Sequence, residues 1–263
     1  MHLDDLYVLL VEPSSTQQKI IANYFQEIGV DHLRFCRTGN EAQKIMLNET
    51  LDLVVSALYL ADMTGTELVT SMRHDDDLKE VAFILISSET SFRYLDPIRQ
   101  AGSIAILPKP FDTDELKMAL NATLSFIDPD EIELQHYEAE DLNVLIVDDS
   151  LTARNFIKGV LEKLGMRHFT VAENGQEAVD ILDDHFFDLV VTDYNMPIMN
   201  GQELLQHIRT KSSQQTVPVL MVTSEDSESR LAAVQQSGVS AVCDKPFATD
   251  SVKQLIEQIF SED

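Results

Sequence analysis

The feature that most constrains this chain is that it repeats itself. Displaced by 136 residues, the sequence falls on itself without a gap: Val11 meets Val147, Gly29 meets Gly165, Gly39 meets Gly175, and Glu41-Ala42 meets Glu177-Ala178. Further along, Asp52-Leu53-Val54 meets Asp188-Leu189-Val190, Gly65 meets Gly201, Gly102 meets Gly238, and Lys109-Pro110-Phe111 meets Lys245-Pro246-Phe247. One offset kept through both halves marks a duplicated folding unit. A length of 263 residues is long for one core and comfortable for two. The boundaries read as a domain over 1–126, an acidic linker over 127–142 and a second domain over 143–263.

Each copy alternates short apolar runs with longer amphipathic ones. In the second, Val144 to Val147, Asp188 to Thr192, Val217 to Val222 and Val239 to Cys243 predict buried strands, and Arg167 to Ala172 a weaker one. Leu151 to Leu164, Gln176 to Asp184, Gln202 to Arg209, Glu228 to Gln236 and Ser251 to Phe260 carry helical periodicity. Strand-helix alternation implies an α/β fold with a parallel sheet covered by helices on both faces. Five such units per copy give two tandem doubly wound domains. The linker predicts either a solvated tether or a short continuation of the preceding helix, and its composition does not choose between them.

Composition enters through charge. The net charge is −26, both copies are acidic, and 128–142 contains no lysine or arginine. Such a surface repels phosphate backbones, which argues against nucleic acid as a partner. No apolar run reaches the ~20 residues of a membrane span, and no membrane partner is expected. Two isolated cysteines, Cys36 and Cys243, suggest no disulfide framework, so a cytoplasmic setting is expected.

In an open parallel sheet, functional groups gather at the carboxyl ends of the strands. In the second copy Asp148-Asp149 follows the first strand, Asp193 the third, Thr223 closes the fourth and Lys245 the fifth. Three carboxylates drawn within ~4 Å repel by about 4 kcal/mol per pair at an effective dielectric near 20. The cluster therefore calls for a cation, and hard oxygen donors in small number suit Mg²⁺ or Mn²⁺. Asp193 is the candidate nucleophile, forming an acyl phosphate. Asp148, Asp149 and Asp193, with the Asn195 carbonyl, are the candidate metal ligands, and Thr223 and Lys245 the candidate contacts to phosphoryl oxygens. A single Asp at a strand end is more often a helix cap; five matching groups at successive strand ends are not explained that way.

The motifs Leu145-Ile146-Val147-Asp148-Asp149-Ser150, Thr192-Asp193-Tyr194-Asn195-Met196-Pro197-Ile198-Met199-Asn200-Gly201, Met221-Val222-Thr223-Ser224-Glu225 and Asp244-Lys245-Pro246-Phe247 resemble the response-regulator receiver family, closely its CheY-like members. The resemblance spans 143–263. It implies a flavodoxin-like (βα)5 fold with a five-stranded parallel sheet, Mg²⁺ dependence, and phosphotransfer from a sensor histidine kinase or histidine phosphotransfer protein. It also implies a cis peptide between Lys245 and Pro246 and self-catalysed hydrolysis of the phosphoaspartate. The family commonly carries Tyr or Phe three residues before the lysine; here Val242 stands there.

At the same offset the first copy replaces Asp148 by Glu12, Asp149 by Pro13, Asp193 by Ala57, Asn195 by Tyr59 and Thr223 by Ser87, and keeps only Lys109. Ala57 offers no acceptor atom, and Glu12 alone is a poor Mg²⁺ site. Residues 1–126 therefore resemble a degenerate pseudo-receiver, with a regulatory role expected, and Lys109 is expected to pair with Glu12. His74 before Asp75-Asp76-Asp77 reads as a solvated acidic loop, and His168, His185 and His207 as surface or partly packed.

The whole reads as a two-component response regulator without a DNA-binding output domain, signalling through an unidentified downstream protein target. It is expected to be a phospho-accepting signalling protein rather than an enzyme. A phosphorelay intermediate or phosphate sink is the alternative from the same chemistry. An aspartyl-phosphate phosphatase is a third, opposed by Asn195 where such enzymes commonly have a second acid.

Overall fold

The computed structural model describes residues 1–89, 91–129, 132–134, 137–223, 238–245 and 247–261, with the backbone alone at 92 and 93. The chain divides into two compact units, Met1–Pro129 and Asp130–Asp263. In the first, β1 (Tyr7–Val11), α1 (Ser15–Ile28), β2 (His32–Cys36), α2 (Gly39–Met46), β3 (Leu53–Ala57), α3 (Gly65–Arg73), β4 (Ala82–Ser87), α4 (Phe92–Gln100), β5 (Ala105–Pro108) and α5 (Thr113–Ile127) alternate along the chain. The second runs β6 (Asn143–Val147), α6 (Leu151–Lys163), β7 (His168–Ala172), α7 (Gly175–Asp184), β8 (Leu189–Asp193), α8 (Gly201–Thr210), β9 (Val219–Thr223), β10 (Ala241–Asp244) and α9 (Thr249–Ser261). The helix expected over 228–236 and the Lys245–Pro246 peptide lie outside the described residues. In the first unit the Lys109–Pro110 peptide is cis.

Each sheet is parallel and five-stranded, ordered β2-β1-β3-β4-β5 in the first unit and β7-β6-β8-β9-β10 in the second. The apolar runs fill the inner strands: every residue of β3, β4, β8 and β9 is buried. Burial on both faces is what a run without alternation demands. β2 and β7 lie at sheet edges and bury only their last residue, Cys36 and Ala172. This explains why the second strand is the faintest in sequence.

Local chemistry repeats with the fold. Ser14 and Ser150 cap α1 and α6, accepting from Gln17 and Ala153 backbone N–H groups. Thr38 and Asn174 do the same for α2 and α7, and Thr64 and Asn200 form capping boxes with Glu67 and Glu203. Asp52 and Asp188 each accept a 2.8 Å bond from the backbone N–H that opens the neighbouring strand, at Tyr7 and Asn143. They stand at the opposite end of the sheet from the carboxyl ends. Arg73 and Arg209 clip the loop after α3 and α8, donating to the carbonyls of Val81 and Val217, both at 2.8 Å.

Of the two linker readings, α5 does not continue: it stops at Ile127. Ile132 is buried and its N–H points to the Leu164 carbonyl at 3.4 Å, while the Tyr137 ring meets Phe260 edge-on at 5.4 Å. The described part of the tether thus packs on the second unit. No helix among the described residues is long and apolar enough to cross a membrane.

One packing constraint touches the site directly. A Cβ on Gly201 would collide with the Asp193 carbonyl oxygen, and one on Gly65 would lie 2.7 Å from that of Ala57. Gly201→Ala should therefore lower stability by about 1–3 kcal/mol, as overpacking does. Urea unfolding of the full chain checks this; an unchanged midpoint for the second unit would contradict it.

Candidate functional site

The ends of β6, β8, β9 and β10 bring Asp148, Asp193, Thr223 and Lys245 into one buried group, at 0%, 2%, 1% and 6% exposure. The Lys245 ammonium lies 3.1 Å from Asp148 Oδ2 and 2.9 Å from Asp193 Oδ1. The remaining oxygens are held by backbone: Ser150 N–H donates to Asp148 Oδ1 at 2.8 Å, and Asn195 N–H to Asp193 Oδ2 at 3.1 Å. Lys245 N–H donates to the Thr223 carbonyl at 2.7 Å, which ties the two strand ends together. Asp149 and Asn195 are exposed and stand at the mouth. Among the described residues no three His, Cys, Asp or Glu side chains form a ready-made metal cluster; Asp148 and Asp193 converge on the ammonium instead.

The electrostatics follow from two buried carboxylates facing one ammonium. Burial pushes Asp193 up to about 6, with Lys245 pulling it down and Asp148 adding to the rise. Burial also raises Asp148, against the same lysine, and Asp149 contributes a smaller upward push. Burial alone would lower Lys245, but Asp148 and Asp193 outweigh it and hold the ammonium above its ordinary value.

Two features were not read from the sequence. Arg154 is 6% exposed, donates to the Asp148 carbonyl at 2.6 Å and pairs with Glu173 at 3.0 Å. Its signal was present: with Ile157 and Leu161 it lies on the buried stripe of α6, where a cation requires a partner. Ile198 has φ of 69°, a left-handed conformation that costs an L-residue about 1–2 kcal/mol and is unusual for a β-branched one. No local pattern announces it.

In the first unit Glu12, Ala57, Ser87 and Lys109 occupy the corresponding strand ends. Lys109 pairs with Glu12 at 2.8 Å, as expected, and Glu12 Oε1 accepts from Ser14 N–H at 2.9 Å. Glu12 thus repeats the bonding of Asp148. Ser87 Oγ accepts from Glu89 N–H at 2.9 Å, and Lys109 N–H donates to the Ser87 carbonyl at 2.7 Å. Tyr59, in the place of Asn195, is 59% exposed. Asp62 is spent on capping α2, accepting from Gly39 and Asn40 N–H groups at 2.8 Å each. Gln18, matching Arg154, donates to the Cys36 carbonyl. His74 bonds the Thr70 carbonyl and Asp76 pairs with Lys79 in an exposed loop. His168 and His185 are exposed and His207 half-buried.

Comparison with known proteins agrees with this duplication. The profile of the response regulator receiver domain matches twice, over residues 8–121 and 144–257. The chain is similar to the chemotaxis protein CheY-3 of Vibrio cholerae, 37% identical over 121 residues, 46% of this chain and 93% of that protein. It is also similar to the chemotaxis protein CheY of Pseudomonas aeruginosa, 40% identical over 119 residues, 45% of this chain and 96% of that one. Among solved structures, the receiver domain of sensor histidine kinase PA1611 from Pseudomonas aeruginosa, with a magnesium ion coordinated in its active-site cleft, is 22% identical. That match covers 46% of this chain and 98% of the other, with a TM-score of 0.42.

The two sites predict opposite responses to losing a carboxylate. A carboxyl raised from 3.8 to about 6 on folding favours the folded state below its unfolded value, and that advantage is lost as pH rises through 6. In chelator at pH 7.5, Asp193→Asn should therefore stabilise the protein by about 1–3 kcal/mol, the gain shrinking toward pH 4. Glu12→Gln strands the half-buried Lys109 and should cost about 1–3 kcal/mol, between the exposed and buried limits for an ion pair. Urea titrations across pH check both; a destabilised Asp193→Asn protein would contradict the charge argument.

Proposed function

The chain belongs to the response regulator receiver family, and we propose that it is a two-component signalling protein phosphorylated on Asp193 alone. The observation that carries this reading is the Lys245 ammonium bonded to both Asp148 and Asp193, set against Glu12 and Ala57 in the first unit. Asp193 attacks the phosphorus of a phosphohistidine; the new carboxylate O–P bond forms as the N–P bond breaks, and the freed imidazole takes a proton from solvent. The chain supplies placement and charge. Lys245 lies beside the acceptor oxygen and is positioned to follow the phosphoryl oxygens, Thr223 offers its hydroxyl on the adjoining strand end, and Asn195 N–H orients the acceptor carboxylate.

The donor set suits a hard divalent cation. Asp148, Asp149, Asp193 and the Asn195 carbonyl would hold Mg²⁺, with Mn²⁺ as a substitute, which when bound supplies charge neutralisation of the phosphoryl oxygens. A sensor histidine kinase or histidine phosphotransfer protein would be the donor, and a protein contact the output, with the first domain regulatory. Phosphoryl loss would be self-catalysed. A relay role is the second reading, favoured by Val242: a half-buried valine packed against the core of the second unit stands where an aromatic reporter is common in the family.

Asp193→Asn should abolish labelling by acetyl phosphate with Mg²⁺. Ala57→Asp should add no second efficient site, since it restores an acceptor beside Glu12 and Pro13 without the acidic pair. Labelling of Asp193→Asn alone would overturn the first statement, and strong labelling of the doubly substituted protein the second.

A further inference from the structure

The chemistry proposed above gives no task to Arg154, a guanidinium buried beside the acidic pair. Its side chain is 7% exposed although it carries a full charge, and a buried charge requires partners. It has two of different kinds. One nitrogen donates to the Asp148 carbonyl at 2.6 Å, and another pairs with Glu173, just past the end of β7, at 3.0 Å. Glu173 is itself 69% exposed, so the ion pair contributes little stability. The carbonyl bond is the informative one. That carbonyl belongs to the planar peptide joining Asp148 to Asp149, and its direction sets the plane from which the Asp149 side chain leaves. Asp148 N–H is in turn fixed on the Ala172 carbonyl at 3.2 Å. With both peptides around Asp148 held, the exposed Asp149 carboxylate is presented at the mouth in one direction.

The first copy supplies the contrast. Gln18 stands in the place of Arg154 and the exposed Arg37 in that of Glu173. Gln18 bonds the Cys36 carbonyl on the neighbouring strand, at 2.8 Å, rather than the peptide after Glu12. That peptide leads to Pro13, which has no carboxylate to aim. The tether accompanies the second acid and is lost with it. Resting on the metal reading above, we propose that Arg154 is a positioning residue for Mg²⁺. Acting through the Asp148 carbonyl, it aims the Asp149 carboxylate at the cation that Asp148 and Asp193 share. Charge alone predicts the opposite effect, since a buried cation beside the site repels a second one. Geometry accounts for it, because groups behind metal ligands orient them.

The test uses the full chain with Arg154→Gln, the residue the first copy carries there, and Arg154→Lys, which keeps the charge without the planar fork. Mn²⁺ is the probe, its free concentration counted by electron paramagnetic resonance, while urea unfolding in chelator follows stability separately. Arg154→Gln should bind Mn²⁺ about tenfold more weakly, with Arg154→Lys between it and the unmodified chain. The Mg²⁺ needed for half-maximal labelling by acetyl phosphate should rise in the same order. In an Asp149→Asn background, Arg154→Gln should weaken binding less than twofold further, because its effect passes through Asp149. Mn²⁺ binding by Arg154→Gln as tight as that of the unmodified chain, or tighter, would overturn the proposal, whatever the change in stability. An equal loss in both backgrounds would overturn it too. Should Arg154→Gln fail to fold, Arg154→Lys decides, and unchanged or tighter binding by it is the contrary result. No Mn²⁺ bound by the unmodified chain would reject the functional reading itself, and this proposal with it.

Discussion

The molecule turns on one ammonium. In the second unit Lys245 bonds two buried carboxylates, leaving a negative charge that the surrounding apolar strands cannot solvate. The pocket is therefore held away from its own electrostatic minimum, and a bound cation would relieve it. In the first unit the same lysine position faces one carboxylate, Glu12, at 2.8 Å. That pair is balanced, has no acceptor beside it, and has no excess charge to relieve. Breaking this half-buried pair strands one charge while keeping it gains little over an apolar substitute, so the Lys109–Glu12 contact fills the pocket with a neutral pair.

The scaffold is indifferent to this change. Helix caps, the Asp52 and Asp188 anchors, the Arg73 and Arg209 clips, and the backbone bond from lysine to the residue ending the fourth strand recur in both units. Each sits where backbone groups would otherwise lack partners. The candidate site residues instead lie at or just past the carboxyl ends of the strands, where a substitution alters charge while leaving the rest of the inner strands in place. That separation lets the first copy carry Ala57 in the place of Asp193 with its core intact.

Much of this was legible in the sequence because duplication supplies its own alignment. The inner strands were clear from apolar runs buried on both faces, and the gathering of Asp148, Asp193, Thr223 and Lys245 followed from where those runs end. β7 was faint because an edge strand buries little, and its polar residues break the pattern. Arg154 escaped notice although its helical spacing placed it among Ile157 and Leu161; charge on a buried stripe is a signal only when its acceptor is known, and here the acceptor is a backbone carbonyl. The left-handed Ile198 was invisible because isoleucine is among the residues least expected there. The packing of Ile132 and Tyr137 on the second unit was masked by acidic neighbours, which suit a tether and a surface helix alike.

A chain with one charged and one neutralised pocket should bind one phosphoryl mimic. The direct measurement is the stoichiometry of beryllofluoride binding to the full chain in Mg²⁺, by titration calorimetry with fluorine NMR to count bound species. One equivalent per chain, with resonance shifts confined to residues beyond Pro129, is the expected result. Two equivalents, or a single one bound within Met1–Pro129, would contradict the account.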